Sequence, residues 1–139
     1  MRLVKGAKET FGWVIVQQDQ AITIPLAAWE RYGFFVGEQT LFLRGSCTSG
    51  GFGISSQRLL ACAMFTGLEK RALGYAELLP ERKVVLPESL HTDPGCRLLT
   101  VFGSGLVLGL ISKGPIFQEA LRHPELEGGE ELYDEISVA

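Results

Sequence analysis

The strongest constraint on this chain is a pattern of strand, proline and glycine turn that it carries twice. In the first copy, Gln20-Ala-Ile-Thr-Ile-Pro25 alternates apolar and polar residues up to a proline, Leu26 to Gly33 follows, and Gly37 opens a new stretch of β-formers. In the second, Arg82-Lys-Val-Val-Leu-Pro87 repeats the strand and its proline, and Pro94-Gly95-Cys96 repeats the turn. Proline has no N–H for a ladder, yet its fixed φ suits the first turn of a helix. Each copy therefore reads as a strand that must stop, a turn or short helix, and a strand that starts afresh.

The copies stay in register over most of the chain. Gly12-Trp13 lies 13 residues before Pro25 and Gly74-Tyr75 lies 13 before Pro87, an offset of 62 at both landmarks. Gly37 precedes Gly45-Ser46 by 8 residues, as Gly95 precedes Gly103-Ser104, at an offset of 58. Gly53-Ile54 with Ser56 matches Gly109-Leu110 with Ser112, at an offset of 56. The falling offset corresponds to a helix four residues shorter and a hairpin tip two residues shorter in the second copy. Five ordered matches favour an internal duplication over chance among 17 glycines. About 60 residues of short strands make a marginal domain, so the copies are expected to share one core.

Taken in order, Phe11 to Gln17 is rich in β-formers and reads as a strand. The Ala21–Ile24 segment is a second, half-buried strand, and Leu26 to Tyr32 a helix closed by Gly33, which tolerates the left-handed C-terminal conformation. A strand from Gly37 leads to a hairpin tip at Gly45–Gly51 and a return strand at Phe52 to Ile54. Ser55 or Ser56 can cap a helix running to about Glu69. Within it, Leu59-Leu-Ala-Cys-Ala-Met-Phe65 is apolar on all sides, which predicts burial in the fold or against another subunit. Strands near 73–79, 82–87, 96–102 and 105–111 follow, then a helix opened by Pro115 and finished before Pro124. The expected class is mainly β with short helices. One domain over residues 1–124, built from repeats of about 1–62 and 63–124, would precede an acidic flexible tail at 125–139.

Charge divides along the same line. Residues 125–139 hold Glu125, Glu127, Glu130, Glu131, Asp134 and Glu135 with no Lys or Arg. Of 13 basic and 16 acidic residues, 13 and 10 therefore fall in 1–124, a net of +3 for the body. The longest apolar run has seven residues, far below the roughly 20 that cross a bilayer, so no membrane partner is expected. Cys47, Cys62 and Cys96 are odd in number, at spacings of 15 and 34, which suits neither a disulfide framework nor paired metal ligands. A reducing, cytoplasmic setting is expected.

Few residues point to chemistry. Gly45-Ser-Cys-Thr-Ser-Gly50 has the glycine spacing of a phosphate loop, but Gly51-Phe52 and a strand follow where Lys, Ser/Thr and a helix are needed. His91 and His123 have no partners at metal-ligand spacing and no nucleophile motif nearby. No catalytic residue, metal or cofactor is expected, and no enzyme. The basic residues are more regular: Lys8-Glu9 and Lys70-Arg71 precede the repeat glycine by three or four residues, and Arg82-Lys83 open the second proline-ended strand. A solvated face accounts for such residues as readily as a phosphate-binding one.

The span from Gly74 to Lys83-Val-Val-Leu-Pro87, with a turn and alternating strand after it, resembles the SpoVT/AbrB family of swapped-hairpin DNA-binding domains. Gly12 to Ile22-Thr-Ile-Pro25, with Gly33-Phe-Phe-Val-Gly37 after the helix, resembles it again, so the likeness covers about residues 11–54 and 73–111. It implies a duplicated βαββ swapped-hairpin barrel with pseudo-twofold symmetry, both hairpins coming from one chain as in the tandem MraZ-type proteins. Lys83 fills the family's basic place before the strand in copy two, while Gln20 or Ala21 stands there in copy one. The function implied is a DNA-binding transcriptional regulator, contacting double-stranded DNA through Lys8, Lys70, Arg71, Arg82 and Lys83, and assembling as a homo-oligomer. The alternative is a non-catalytic barrel that binds a protein or a small ligand and no longer binds DNA.

Overall fold

The computed structural model describes residues 9–45, 48–61 and 67–126, and of Leu68 and Glu69 only the main chain. Eight strands and three short helices follow one another: β1 (Thr10–Ile15), β2 (Ala21–Thr23), α1 (Leu26–Tyr32), β3 (Gln39–Arg44), β4 (Phe52–Ser56), α2 (Gln57–Leu60), β5 (Gly74–Glu77), β6 (Lys83–Val85), β7 (Arg97–Phe102), β8 (Leu108–Ile111) and α3 (Pro115–Ala120). Short 3-10 turns occupy Leu68–Arg71, Pro80–Arg82 and Glu88–Leu90. All pairings are antiparallel. The protein is mainly β, as its composition of short alternating segments predicts.

Six strands form one sheet in the order β1-β7-β8-β4-β3-β5, and β2 pairs with β6 in a separate ribbon. Exchanging β1 with β5, β3 with β7 and β4 with β8 turns the sheet order into its own reverse. The registers obey the same exchange. Trp13 faces Leu99 between β1 and β7, and Tyr75 faces Leu41 between β5 and β3, which are the same positions at offsets of 62 and 58. Ile22 faces Val84 in the ribbon, and Gly53 faces Gly109 between β4 and β8. The turns agree as well. Gly37 N–H donates to the Leu78 carbonyl and Gly95 N–H to that of Val16, both at 2.7 Å, and both glycines have φ of +92°. Gln20 and Arg82, 62 apart, both adopt positive φ, and their carbonyls accept from Leu86 N–H and Ile24 N–H at 2.9 Å.

The sheet is open, so the expected closed barrel is not formed. β1 and β5 stand at its edges, and the three-residue ribbon is a ladder of its own. The turns at Gln20 and Arg82 carry β2 and β6 away from the edges they follow; Gln17 and Leu79 each make one main-chain bond back, to Ala21 and Lys83. A second expectation also fails. The helix capped by Ser56, whose Oγ accepts from Leu59 N–H at 3.2 Å, does not continue to Glu69. It runs through Leu60, Gly67 is not helical, and Leu68–Arg71 is a separate 3-10 turn.

The main core lies between one sheet face, the ribbon and α1. It gathers Val14, Phe42, Ile54, Leu98 and Leu110 from the sheet with Ile22 and Val84 from the ribbon and Tyr32 from α1. Strand alternation puts other residues on the outer face. There α3 covers Trp13, Leu99 and Val101, and Leu60 of α2 packs on Leu41 and Leu43. Trp13 is 3% exposed, edge-on to Phe117 at 5.3 Å and under the Arg97 guanidinium at 4.2 Å. Its counterpart Tyr75 is 53% exposed. Leu59 and Leu60 are buried within their own chain, while 62–65 of the apolar run, and 127–139 of the acidic tail, fall outside the described residues.

Candidate nucleic-acid interface

Each basic side chain is held by the element beneath it, and the surroundings sort these groups into two kinds. Arg31 pairs with Glu9 at 2.7 Å, Arg58 with Glu38 at 2.8 Å, and Arg122 with Glu119 at 3.1 Å. Lys83 has a carboxylate oxygen of Glu81 at 4.0 Å. Arg82 donates from Nε to the Ile24 carbonyl at 2.9 Å, so its side chain clasps the ribbon. Its counterpart Gln20 clasps the other copy, donating to the Thr92 carbonyl at 2.7 Å and accepting from Thr92 N–H at 3.0 Å.

The second kind is Arg44, Lys70, Arg71 and Lys113, which have no ion-pair partner among the described residues. Their positions converge. Arg44 ends β3 and Arg71 ends the Leu68–Arg71 turn, and both are exposed and line one cavity of about 710 Å³. Lys70 precedes Arg71 and is exposed. Lys113 is brought in by a latch: the Ser49 carbonyl at the β3–β4 tip accepts from Ser112 N–H at 3.0 Å and Lys113 N–H at 3.1 Å. A Cβ built on Gly50, another lining residue, would stand 3.5 Å from Lys113 Cε.

Of the five residues singled out from sequence, Lys70 and Arg71 thus join this cluster. Arg82 ends the Pro80–Arg82 turn and Lys83 opens β6, neither lines the cavity, and Lys8 lies outside the described residues. Arg44 and Lys113 escape sequence reading because neither belongs to a basic pair. The one available signal was their place beside glycines that follow a strand, Gly45 and Gly114.

The cavity lies on the outer face, beside the paired glycines Gly53 and Gly109. A Cβ on Gly53 would meet Val107 Cγ1 at 2.6 Å, and one on Gly109 would meet Val101 Cγ2 at 2.9 Å. The glycines therefore let the two valines fold down onto the sheet as apolar walls. The Gly45–Gly51 segment leads into strand β4, so no helix N-terminus follows it, as expected from Gly51-Phe52.

The histidines sit elsewhere. His91 Nε2 contacts the Leu86 carbonyl at 3.1 Å, and His123 lies between Glu125 and Glu119, 2.6 and 3.4 Å away. The hydrogen bond with Glu125, followed by that with Glu119, holds the His123 imidazole above its ordinary pKa. Tyr32, donating to the Ser104 and Val107 carbonyls at 2.8 Å, is pushed up to about 12 by burial. No family model, curated protein or solved structure matches this chain.

Proposed function

We propose that this chain is a duplicated swapped-hairpin domain of the SpoVT/AbrB kind that binds duplex DNA through its phosphates. One observation carries the binding: Arg44, Lys70, Arg71 and Lys113 gather at one end of the sheet with no ion-pair partner among the described residues. A cation already paired gains little from a phosphate, whereas an unpaired exposed one releases a counterion from the DNA when it binds. The strand exchange between halves supports the fold part of the reading, since β1 pairs with β7 of the other copy and β5 with β3.

The test is fluorescence anisotropy of a labelled duplex titrated with the full chain at several salt concentrations. Four phosphate contacts give a log–log slope of about −3.6. Removing two with Arg44→Ala and Arg71→Ala should bring it to about −1.8 and weaken binding at low salt. Arg82→Ala, whose guanidinium is engaged with the Ile24 carbonyl, should leave the slope unchanged. No binding at low salt, or a slope indifferent to Arg44 and Arg71, would overturn the proposal.

A further inference from the structure

The cavity between the outer-face clusters has properties that phosphate contact alone does not use. Its volume of about 710 Å³ is within the range of small-molecule sites. Leu43, Val101, Val107 and Ile111 supply apolar wall, and Arg44 and Arg71 stand at its exposed rim. Sites that hold an orientation combine such walls with a few convergent polar groups. Guanidiniums recognise planar oxygen pairs through parallel N–H bonds, and a carboxylate presents such a pair.

We infer that this cavity binds an amphipathic carboxylate, an acyl chain lying against Leu43, Val101 and Val107 with its carboxylate between Arg44 and Arg71. Both groups are required. A neutral chain of the same length leaves the arginines unmatched, and a bare carboxylate leaves the apolar wall wet. The site shares its two arginines with the proposed DNA surface, so the carboxylate would also act as a regulator of that surface, withdrawing two of its four cations. Binding of the carboxylate itself rests on the cavity and not on the DNA reading.

The experiment titrates the full chain with octanoate, octanol and acetate, following methyl resonances of Leu43, Val101 and Val107 by NMR. Octanoate is expected to give saturable shifts, with octanol at least about tenfold weaker, as befits loss of charged hydrogen bonds. Acetate should give none. Arg44→Ala with Arg71→Ala should weaken octanoate about tenfold or more and leave octanol unchanged. Val107→Phe, which fills the cavity without touching the arginines, should weaken both. Octanoate and octanol binding equally, acetate matching octanoate, or no saturable shift would each overturn the inference. Duplex affinity measured with and without octanoate separates the two proposals. Octanoate binding without any DNA binding removes the DNA reading alone, and DNA binding with no saturable octanoate shift removes this one alone.

Discussion

Replacing Arg58 by Ala isolates the most concentrated electrostatic feature of the fold. Glu38 is a carboxylate only 4% exposed, in the turn that enters β3. Arg58, from α2, donates Nε to its Oε2 at 2.8 Å and Nη2 to its Oε1 at 3.2 Å. The same Nη2 reaches the Tyr32 carbonyl at 2.9 Å and that of Gly33 at 3.2 Å, so it also satisfies the C-terminal end of α1. Removing one partner of a fully buried pair costs about 3–5 kcal/mol, because the other charge is left without water. Arg58 is itself 42% exposed, so water can enter behind the missing side chain, which roughly halves that figure. Losing the bonds to the helix carbonyls adds about 0.5–1 kcal/mol to the loss. The expected loss is therefore about 2–3 kcal/mol, or roughly 6–10 °C in Tm for a domain of this size. Urea denaturation should show a lower midpoint at unchanged slope. The double variant Arg58→Ala with Glu38→Gln should recover about 1 kcal/mol relative to Arg58→Ala, because the stranded charge is gone. A single variant within about 0.5 kcal/mol of wild type, or a double variant equal to the sum of the singles, would refute the reasoning.

The paired turns give a second measurement. Gly37→Ala and Gly95→Ala place a Cβ at φ of +92°; around Gly37 there is open space within 4 Å, so strain alone should cost about 1–2 kcal/mol there, and an equivalent turn predicts a similar loss at Gly95. Denaturation midpoints that differ widely between the two would show that the turns are not equivalent. His123 should titrate by NMR with a midpoint above 6.5 that falls towards it in Glu125→Gln. A raised folded value means that its contribution to stability is complete below 6.5 and lost as pH rises through the folded midpoint. A midpoint at or below 6.5 would show that neither carboxylate holds it.

What the sequence revealed was what backbone geometry demands. Gly37 and Gly95 could be read because a φ of +92° strongly favours glycine, and Pro25 and Pro87 because a strand must end before them. Pairing partners could not be read, since main-chain hydrogen bonds leave no mark in side-chain identity. Nothing in Trp13 announces that it will face Leu99 across a ladder with the other repeat. The closed barrel failed for a related reason: the positive φ at Gln20 and Arg82 turns both ribbon strands off the edges, and neither residue is a glycine that would have signalled it. Arg82 looks like any other basic residue until its acceptor is known, a main-chain carbonyl 58 residues away. Glu38 reads as a surface acid among Gly37, Gln39 and Thr40, yet it is nearly buried because Arg58 folds over it.

The two halves share backbone landmarks but differ in what those landmarks carry, and the difference bears on function. Arg44, at the end of β3, corresponds at an offset of 58 to Phe102, at the end of β7. Phe102 lies at 6.1 Å from the Tyr32 ring, and the Arg31 guanidinium covers it at 4.7 Å. Lys113 corresponds at an offset of 56 to Gln57, and Glu38 at an offset of 58 to Cys96. A twofold assembly of identical hairpins would have to place the same residues at both ends. On the duplication reading, a single chain is free of that requirement: among the described residues, one end of the sheet is aromatic and internally paired, and the other carries cations with no ion-pair partner. Among the described residues this leaves one surface of unpaired cations, so that on the proposed reading DNA would be contacted from one side of the pseudo-twofold axis and an acyl carboxylate would bind with a stoichiometry of one.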